Sequence, residues 1–134
     1  MKVIIRPFNL SADAGLIYSS YPKGVYHGSY EPITTPKSEW FGNFYLLTKQ
    51  QLEGAAKVTI ACIEDDPSTI LGYMITQGGT LQFIYTKEAF RNQGVARLLY
   101  NSNPLKLFKN ITKVGHAILA DRLIKENPNE QEPS

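Results

Sequence analysis

Residues 81–100 constrain this chain most. An apolar run, Leu81-Gln82-Phe83-Ile84-Tyr85, passes through a polar turn into Arg91-x-x-Gly94-x-Ala96 and then into a helical pattern carried by Val95, Leu98 and Leu99. A strand that turns directly into a helix offers the helix's first backbone N–H groups, which have no acceptor inside the helix, to whatever sits above the turn. The positive end of the helix dipole adds to this, so the segment reads as an anion cradle suited to a pyrophosphate. Gly94 lets the backbone approach the anion closely and Ala96 keeps the first helical turn slim. Arg91 and Arg97 bracket the loop with permanent positive charge.

The 134 residues, 43% of them apolar, suit one compact domain with no room for a second catalytic domain. Fourteen basic and twelve acidic residues leave a net charge of +2, which provides no bulk electrostatic footprint for nucleic acid or an anionic membrane. The first ten residues contain Arg6 and Pro7, an interruption unlike a signal peptide, and no apolar run reaches a membrane span; a cytoplasmic protein is expected. Cys62 is the single cysteine, so neither an internal disulfide nor a multi-cysteine metal site is available, and its apolar strand makes a structural role the expectation.

Val3-Ile4-Ile5 reads as a short strand ended by Pro7. Ser11 is placed to cap a helix through Ala14, Ile17 and Tyr18 that Pro22 and Gly24 should stop. Residues 22–35 then read as an aromatic loop with Tyr26, His27 and Tyr30. Thr35-Pro36 predicts the start of a second helix, with Trp40, Phe44 and Leu47 on a broad apolar face that should be largely buried. Val58 to Ile63 form a fully apolar strand, Asp65-Asp66-Pro67-Ser68 a turn, and residues 70–75 the next strand. Gln77-Gly78-Gly79-Thr80 makes a second turn, so three strands form an antiparallel meander. A fifth strand is expected around Leu107, parallel to the fourth because a helix intervenes, and a last helix around 114–124. Residues 126–134 read as a flexible tail, leaving residues 1–125 as a single domain.

This order of elements, with Arg91-x-x-Gly94-x-Ala96 behind the fourth strand, resembles the GNAT (Gcn5-related N-acetyltransferase) family across nearly the whole chain. The Phe-Ile-Tyr-Thr-Lys-x-Ala-Phe-Arg phrasing also looks like the small acetyltransferase-like proteins of bacteriophages. The resemblance implies an α/β (α+β) acyl-CoA N-acyltransferase fold: a mixed, mainly antiparallel sheet of about five to six strands flanked by about four helices. It implies acetyl-CoA as co-substrate, no metal, and transfer of the acetyl group to an amine acceptor by direct attack. Free backbone groups of Phe83, Ile84 and Tyr85 on a bulged fourth strand would pair with the pantetheine arm. Amides of Gln93, Gly94, Val95 and Ala96 would hold the pyrophosphate, Arg91 and Asn92 would shape the turn, and Arg97 would stand near a phosphate.

The chemistry beyond the cofactor is less marked in the residues. An attacking amine must be neutral and the departing thiolate must gain a proton. If Asn110 begins the family's last helical segment, its tyrosine acid falls on Ala117, with His116 beside it; Tyr100 is a second phenol, placed for packing. Glu64, Asp65, Asp66, Glu88 and His27 are the candidate bases, of which Glu64 ends an apolar strand. Tyrosines of the 21–36 segment could clamp an acceptor or a partner protein, and a lone cation there, Lys23, argues against nucleic acid. A non-catalytic acyl-CoA-binding protein and a viral protein-interaction module on the same scaffold stay open as alternatives. The apolar strands would tolerate an edge-to-edge homodimer.

Overall fold

The computed structural model describes residues 2–29, 32–102 and 107–108. In chain order these form β1 (Val3–Pro7), α1 (Leu10–Gly28), α2 (Lys37–Gln50), β2 (Lys57–Ile63), β3 (Asp66–Gln77), β4 (Thr80–Thr86), α3 (Val95–Ser102) and β5 (Leu107–Phe108). The sheet runs β1-β2-β3-β4-β5, antiparallel through its first four strands and parallel between β4 and β5, where Thr80 faces Leu107 and Leu81 faces Phe108. The expected last helix and the 126–134 tail lie outside the described residues.

Both faces of the sheet are covered, which is why β2 reads as continuously apolar. Val58, Ile60 and Cys62 pack with Ile17 and Tyr21 of α1 and Phe44 of α2 on one face; Ala61 joins Leu71, Met74 and the α3 residues Val95, Leu99 and Tyr100 on the other. Gly78 and Gly79 take positive φ, +55° and +81°, closing the two-residue hairpin that links β3 to β4. The β3–β4 register steps from Ile75–Phe83 to Thr76–Leu81, so Gln82 is an extra residue on β4. This bulge turns Leu81 toward α3 while Phe83 faces α1, although plain alternation would put both on one side.

Several expectations are corrected by packing. Asn9, rather than Ser11, caps α1, its side chain accepting from the Ala12 N–H at 3.1 Å. The helix does not stop at Pro22 but runs on to Gly28, so most of the expected aromatic loop is helical. Proline removes one helical hydrogen bond; burial of Tyr21 and Pro22 and the seating of Gly24 on Phe83 compensate. A Cβ on Gly24 would come within 2.6 Å of the Phe83 ring. Gly24→Ala is therefore expected to destabilise the fold by about 1–3 kcal/mol, read as a lower urea midpoint.

Pro36 stands at the N-cap of α2 with no side-chain cap, in place of the expected Thr35. Nor is α2 largely buried: Phe44 and Thr48 are, whereas Tyr45, Leu46 and Leu47 are exposed. Finally, β3 begins at Asp66, so Pro67 and Ser68 belong to an irregular strand start, marked by register shifts against β2, and the turn is Glu64-Asp65.

One part-buried ion pair ties the first elements together. Arg6 on β1 donates from Nη1 and Nη2 to the two carboxylate oxygens of Asp13, each at 2.8 Å, and from Nε to the Pro67 carbonyl at 3.0 Å. Asp13 also accepts the Asn9 N–H at 2.7 Å and is almost fully buried. The Arg6 guanidinium holds the Asp13 carboxyl below its ordinary range, against the opposing effect of burial.

Candidate functional site

The turn that leaves β4 is built from the strand outward. The Lys87 N–H donates to the Leu71 carbonyl at 2.8 Å, extending the β3–β4 ladder past Thr86. One short helical turn, Glu88–Phe90, follows, closed by the Phe90 N–H on Lys87 O at 2.9 Å and the Arg91 N–H on Glu88 O at 3.3 Å. Asn92 then takes φ +64° and Gly94 φ +84°, the two reversals that bring the chain round into α3. Asparagine is among the few non-glycine residues that enter this region readily, which accounts for its position.

Both ends of the loop are anchored. Phe90 packs against the α3-side core, and Val95, Leu99 and Tyr100 are buried beneath α3. Residues 91–94 stay exposed between these anchors. Arg91 works as a brace, its Nε donating to the Thr86 carbonyl at 3.0 Å, and Gln93 Nε2 donates to Ala89 O at 3.3 Å. The first helical bond runs from the Leu98 N–H to Gly94 O at 3.0 Å. The amides of Val95, Ala96 and Arg97 therefore precede the first intrahelical donor. A Cβ at Gly94 would meet nothing within 4 Å, so the space above the turn is open to a ligand. Exposed Arg97 adds charge close by.

The three β4 residues expected to flank a ligand arm lie on the bulged strand. Phe83 is buried under α1, Ile84 faces the α3-side core, and Tyr85 is half-buried with its ring 5.3 Å from Tyr73. Gly72, opposite Thr86, is a contributor that sequence reasoning passed over: a Cβ there would run into the Tyr85 carbonyl oxygen. Its signal was a glycine inside a strand pattern, which marks a close backbone approach.

An aromatic series climbs from Phe83 through Tyr21 (4.9 Å), Phe44 (4.8 Å) and Trp40 (4.9 Å) to Tyr26 (5.0 Å) at the end of α1. The Lys37 ammonium lies 5.8 Å from the Tyr26 ring centroid, and exposed His27 meets the same ring edge-on. Tyr30 and His116 lie outside the described residues.

The other candidate bases are spread over the surface. Glu64 is exposed on the β2–β3 turn, 3.7 Å from Lys2 Nζ, with Asp65 exposed beside it. Asp66 accepts from the Ser68 and Thr69 hydroxyls, at 2.6 and 2.5 Å, and the Ser68 bond leads in holding its carboxyl below the ordinary range. Glu88 is exposed on the turn before the loop, and Cys62 is fully buried in the core. Among the described residues no cluster of histidine, cysteine or carboxylate could hold a metal, and no helix is long and apolar enough to cross a membrane.

No protein-family model matches the chain, and no curated protein does. Solved structures do match. A candidate acetyl transferase from Pyrococcus furiosus superposes with a TM-score of 0.57 at 14% identity, covering 99% of this chain and 94% of that one. A GCN5-related N-acetyltransferase from Rhodopseudomonas palustris gives 0.54 at 14% identity, with 88% and 68% covered. The chain has the fold of the GNAT acetyltransferases. A third neighbour, the GNAT superfamily phosphinothricin acetyltransferase of Sinorhizobium meliloti in complex with AcCoA, gives 0.52 at 16% identity over 77% of this chain and 58% of that one. This chain thus spans about two thirds or less of the length of the last two. Its own sheet has α1 and α2 on one face and α3 on the other.

Proposed function

We propose that the chain is a GNAT-type N-acetyltransferase, a single domain over residues 1–125 that moves the acetyl group of acetyl-CoA to an amine. The observation that carries this reading is the loop between β4 and α3. The reversals at Asn92 and Gly94 leave residues 91–94 exposed at the start of a helix whose first amides lack internal acceptors. The absence of any atom within 4 Å of a Cβ at Gly94 leaves room there for the pyrophosphate of such a carrier.

In this reading the amides of Gln93, Gly94, Val95 and Ala96 hold the pyrophosphate, with Arg97 nearby. Arg91 and Asn92 keep the turn in shape, Arg91 through its bond to Thr86. Backbone groups of Phe83, Ile84 and Tyr85 orient the arm, and an N–H among them stabilises the oxyanion that develops during transfer. When bound, acetyl-CoA supplies a thioester open to attack by a neutral amine. Glu64 is the base to test and His116 the acid. A residue in either role should lower turnover by about 100-fold or more when replaced and leave acetyl-CoA binding unchanged. Turnover is tested by incubating the protein with acetyl-CoA and a panel of primary amines while following free thiol. Amine-dependent thiol release is the expected result; binding of acetyl-CoA without release under any acceptor would favour a non-catalytic acyl-CoA-binding protein.

A further inference from the structure

Glutamine is seldom enclosed without partners, yet Gln82 is only 7% exposed and its carboxamide makes no hydrogen bond among the described residues. Other buried polar side chains are engaged: Asp13 with Arg6, Thr48 with the Phe44 carbonyl and Thr76 with the Lys57 carbonyl. Gln51 Oε1 and Thr86 Oγ1 also lack partners, but those two atoms are sealed inside the fold, out of a ligand's reach. Gln82 is also the extra residue of the β4 bulge, between Leu81, turned toward α3, and Phe83, turned toward α1. A bulge gives up ladder pairing and re-aims a side chain, an arrangement that recurs beside active sites.

The place of the bulge decides what this amide can meet. Among the described residues, pairing with β5 reaches Leu81, the residue before Gln82. Beyond the bulge, β4 runs through Phe83, Ile84 and Tyr85 toward the loop that begins α3. A carrier held at that loop by its pyrophosphate, with its arm lying back along these three residues, brings its opposite end, the thioester, to the bulge. We propose that the Gln82 carboxamide is a catalytic group that donates from Nε2 to the carbonyl oxygen of the thioester. The inference rests on the acetyl-transfer reading and adds a side-chain donor to the backbone N–H assigned there. As the amine nitrogen bonds to the carbonyl carbon, the π pair of the carbonyl moves onto oxygen. It returns when the C–S bond breaks and sulfur leaves with its electron pair; the amine gives up one proton and the thiolate takes one up, so no further reactant is needed. Gln82 exchanges no proton in this step. Its hydrogen bond strengthens as charge gathers on the oxygen, so it favours turnover more than binding.

Isotope-edited infrared difference spectra, which isolate the thioester C=O stretch of bound acetyl-CoA, read this contact with no acceptor present. In the wild type the stretch should fall to lower frequency on binding. In Gln82→Met, which keeps the volume but has no amide, about half or more of that fall should be lost while affinity stays within about threefold. Because the amide is enclosed without a partner, Gln82→Met without the carrier should unfold at an equal or higher urea concentration than the wild type. With the panel of amines, the same change should lower kcat about 100-fold and leave the KM for acetyl-CoA within about threefold. A wild type that does not bind acetyl-CoA, or binds it without turnover, would overturn the acetyl-transfer reading and this inference with it. Equal C=O frequencies in the two bound proteins, an unchanged kcat, or a lower urea midpoint in Gln82→Met would overturn this inference alone.

Discussion

Asp13→Asn is expected to lower the free energy of unfolding by about 1–3 kcal/mol, because it leaves the part-buried guanidinium of Arg6 without its charged partner. The bidentate geometry, two bonds of 2.8 Å onto a carboxylate that is 1% exposed, puts this pair among those whose rupture is felt. An asparagine keeps the volume but offers one acceptor where the carboxylate serves Arg6 twice and the Asn9 N–H once. Urea unfolding monitored by circular dichroism measures the loss. Replacing both partners, Arg6→Met with Asp13→Leu, should cost less than Asp13→Asn alone if the unpaired charge is the cause.

The same pair sets a pH dependence. The Asp13 carboxyl is held below its unfolded value of 3.8, so its contribution to stability is present in full above that value and is lost as pH falls through the lower, folded value. Acid unfolding of the wild type should therefore steepen below about pH 4, and that step should be absent in Asp13→Asn. Identical acid-unfolding profiles for the two proteins would remove the pair from this account.

The second large effect is expected at Gly72. A side chain there meets backbone rather than a yielding side chain: its Cβ would run into the Tyr85 carbonyl, with the Thr86 Cα at 3.2 Å and Val95 Cγ1 at 3.3 Å. Gly72→Val should cost about 3 kcal/mol or more, at the upper end of overpacking, since β3 and β4 can relieve the clash only by separating. The displacement falls where the Lys87 N–H reaches the Leu71 carbonyl and where Arg91 grips Thr86. Any protein that still folds should therefore bind acetyl-CoA more weakly than wild type. A stable Gly72→Val protein with undiminished affinity would contradict that coupling.

What the sequence discloses is what local chemistry decides. The Gly78-Gly79 hairpin, the doubly covered β2 and the Arg91-x-x-Gly94-x-Ala96 turn were readable because each depends on residues next to one another. The continuation of α1 past Pro22 was not, since it rests on Phe83, some sixty residues away, meeting Gly24. The bulge at Gln82 was equally hidden: Leu81 and Phe83 are apolar, and with both faces of the sheet covered neither reveals which side it occupies. The Arg6–Asp13 pair carries no periodic signal. In α2 the apolar residues suggested a broad, largely buried face, yet Tyr45, Leu46 and Leu47 are 49%, 60% and 40% exposed. For the candidate site, the loop that would hold the carrier was legible, whereas the acids and bases were not, because proton transfer depends on a shared cleft and Glu64, Glu88 and His27 sit on three separate elements.

The central claim, that the β4–α3 loop holds an acyl carrier, is tested most directly by titrating acetyl-CoA into the wild type and into Gly94→Val while following thermal unfolding. At about one hundred times its dissociation constant the carrier should add about 2.7 kcal/mol to the stability of the wild type. In Gly94→Val the added stability should be largely lost, because a β-branched side chain disfavours the φ of +84° and crowds the amides. No shift in the wild type at millimolar acetyl-CoA, or an equal shift in both proteins, would contradict the account.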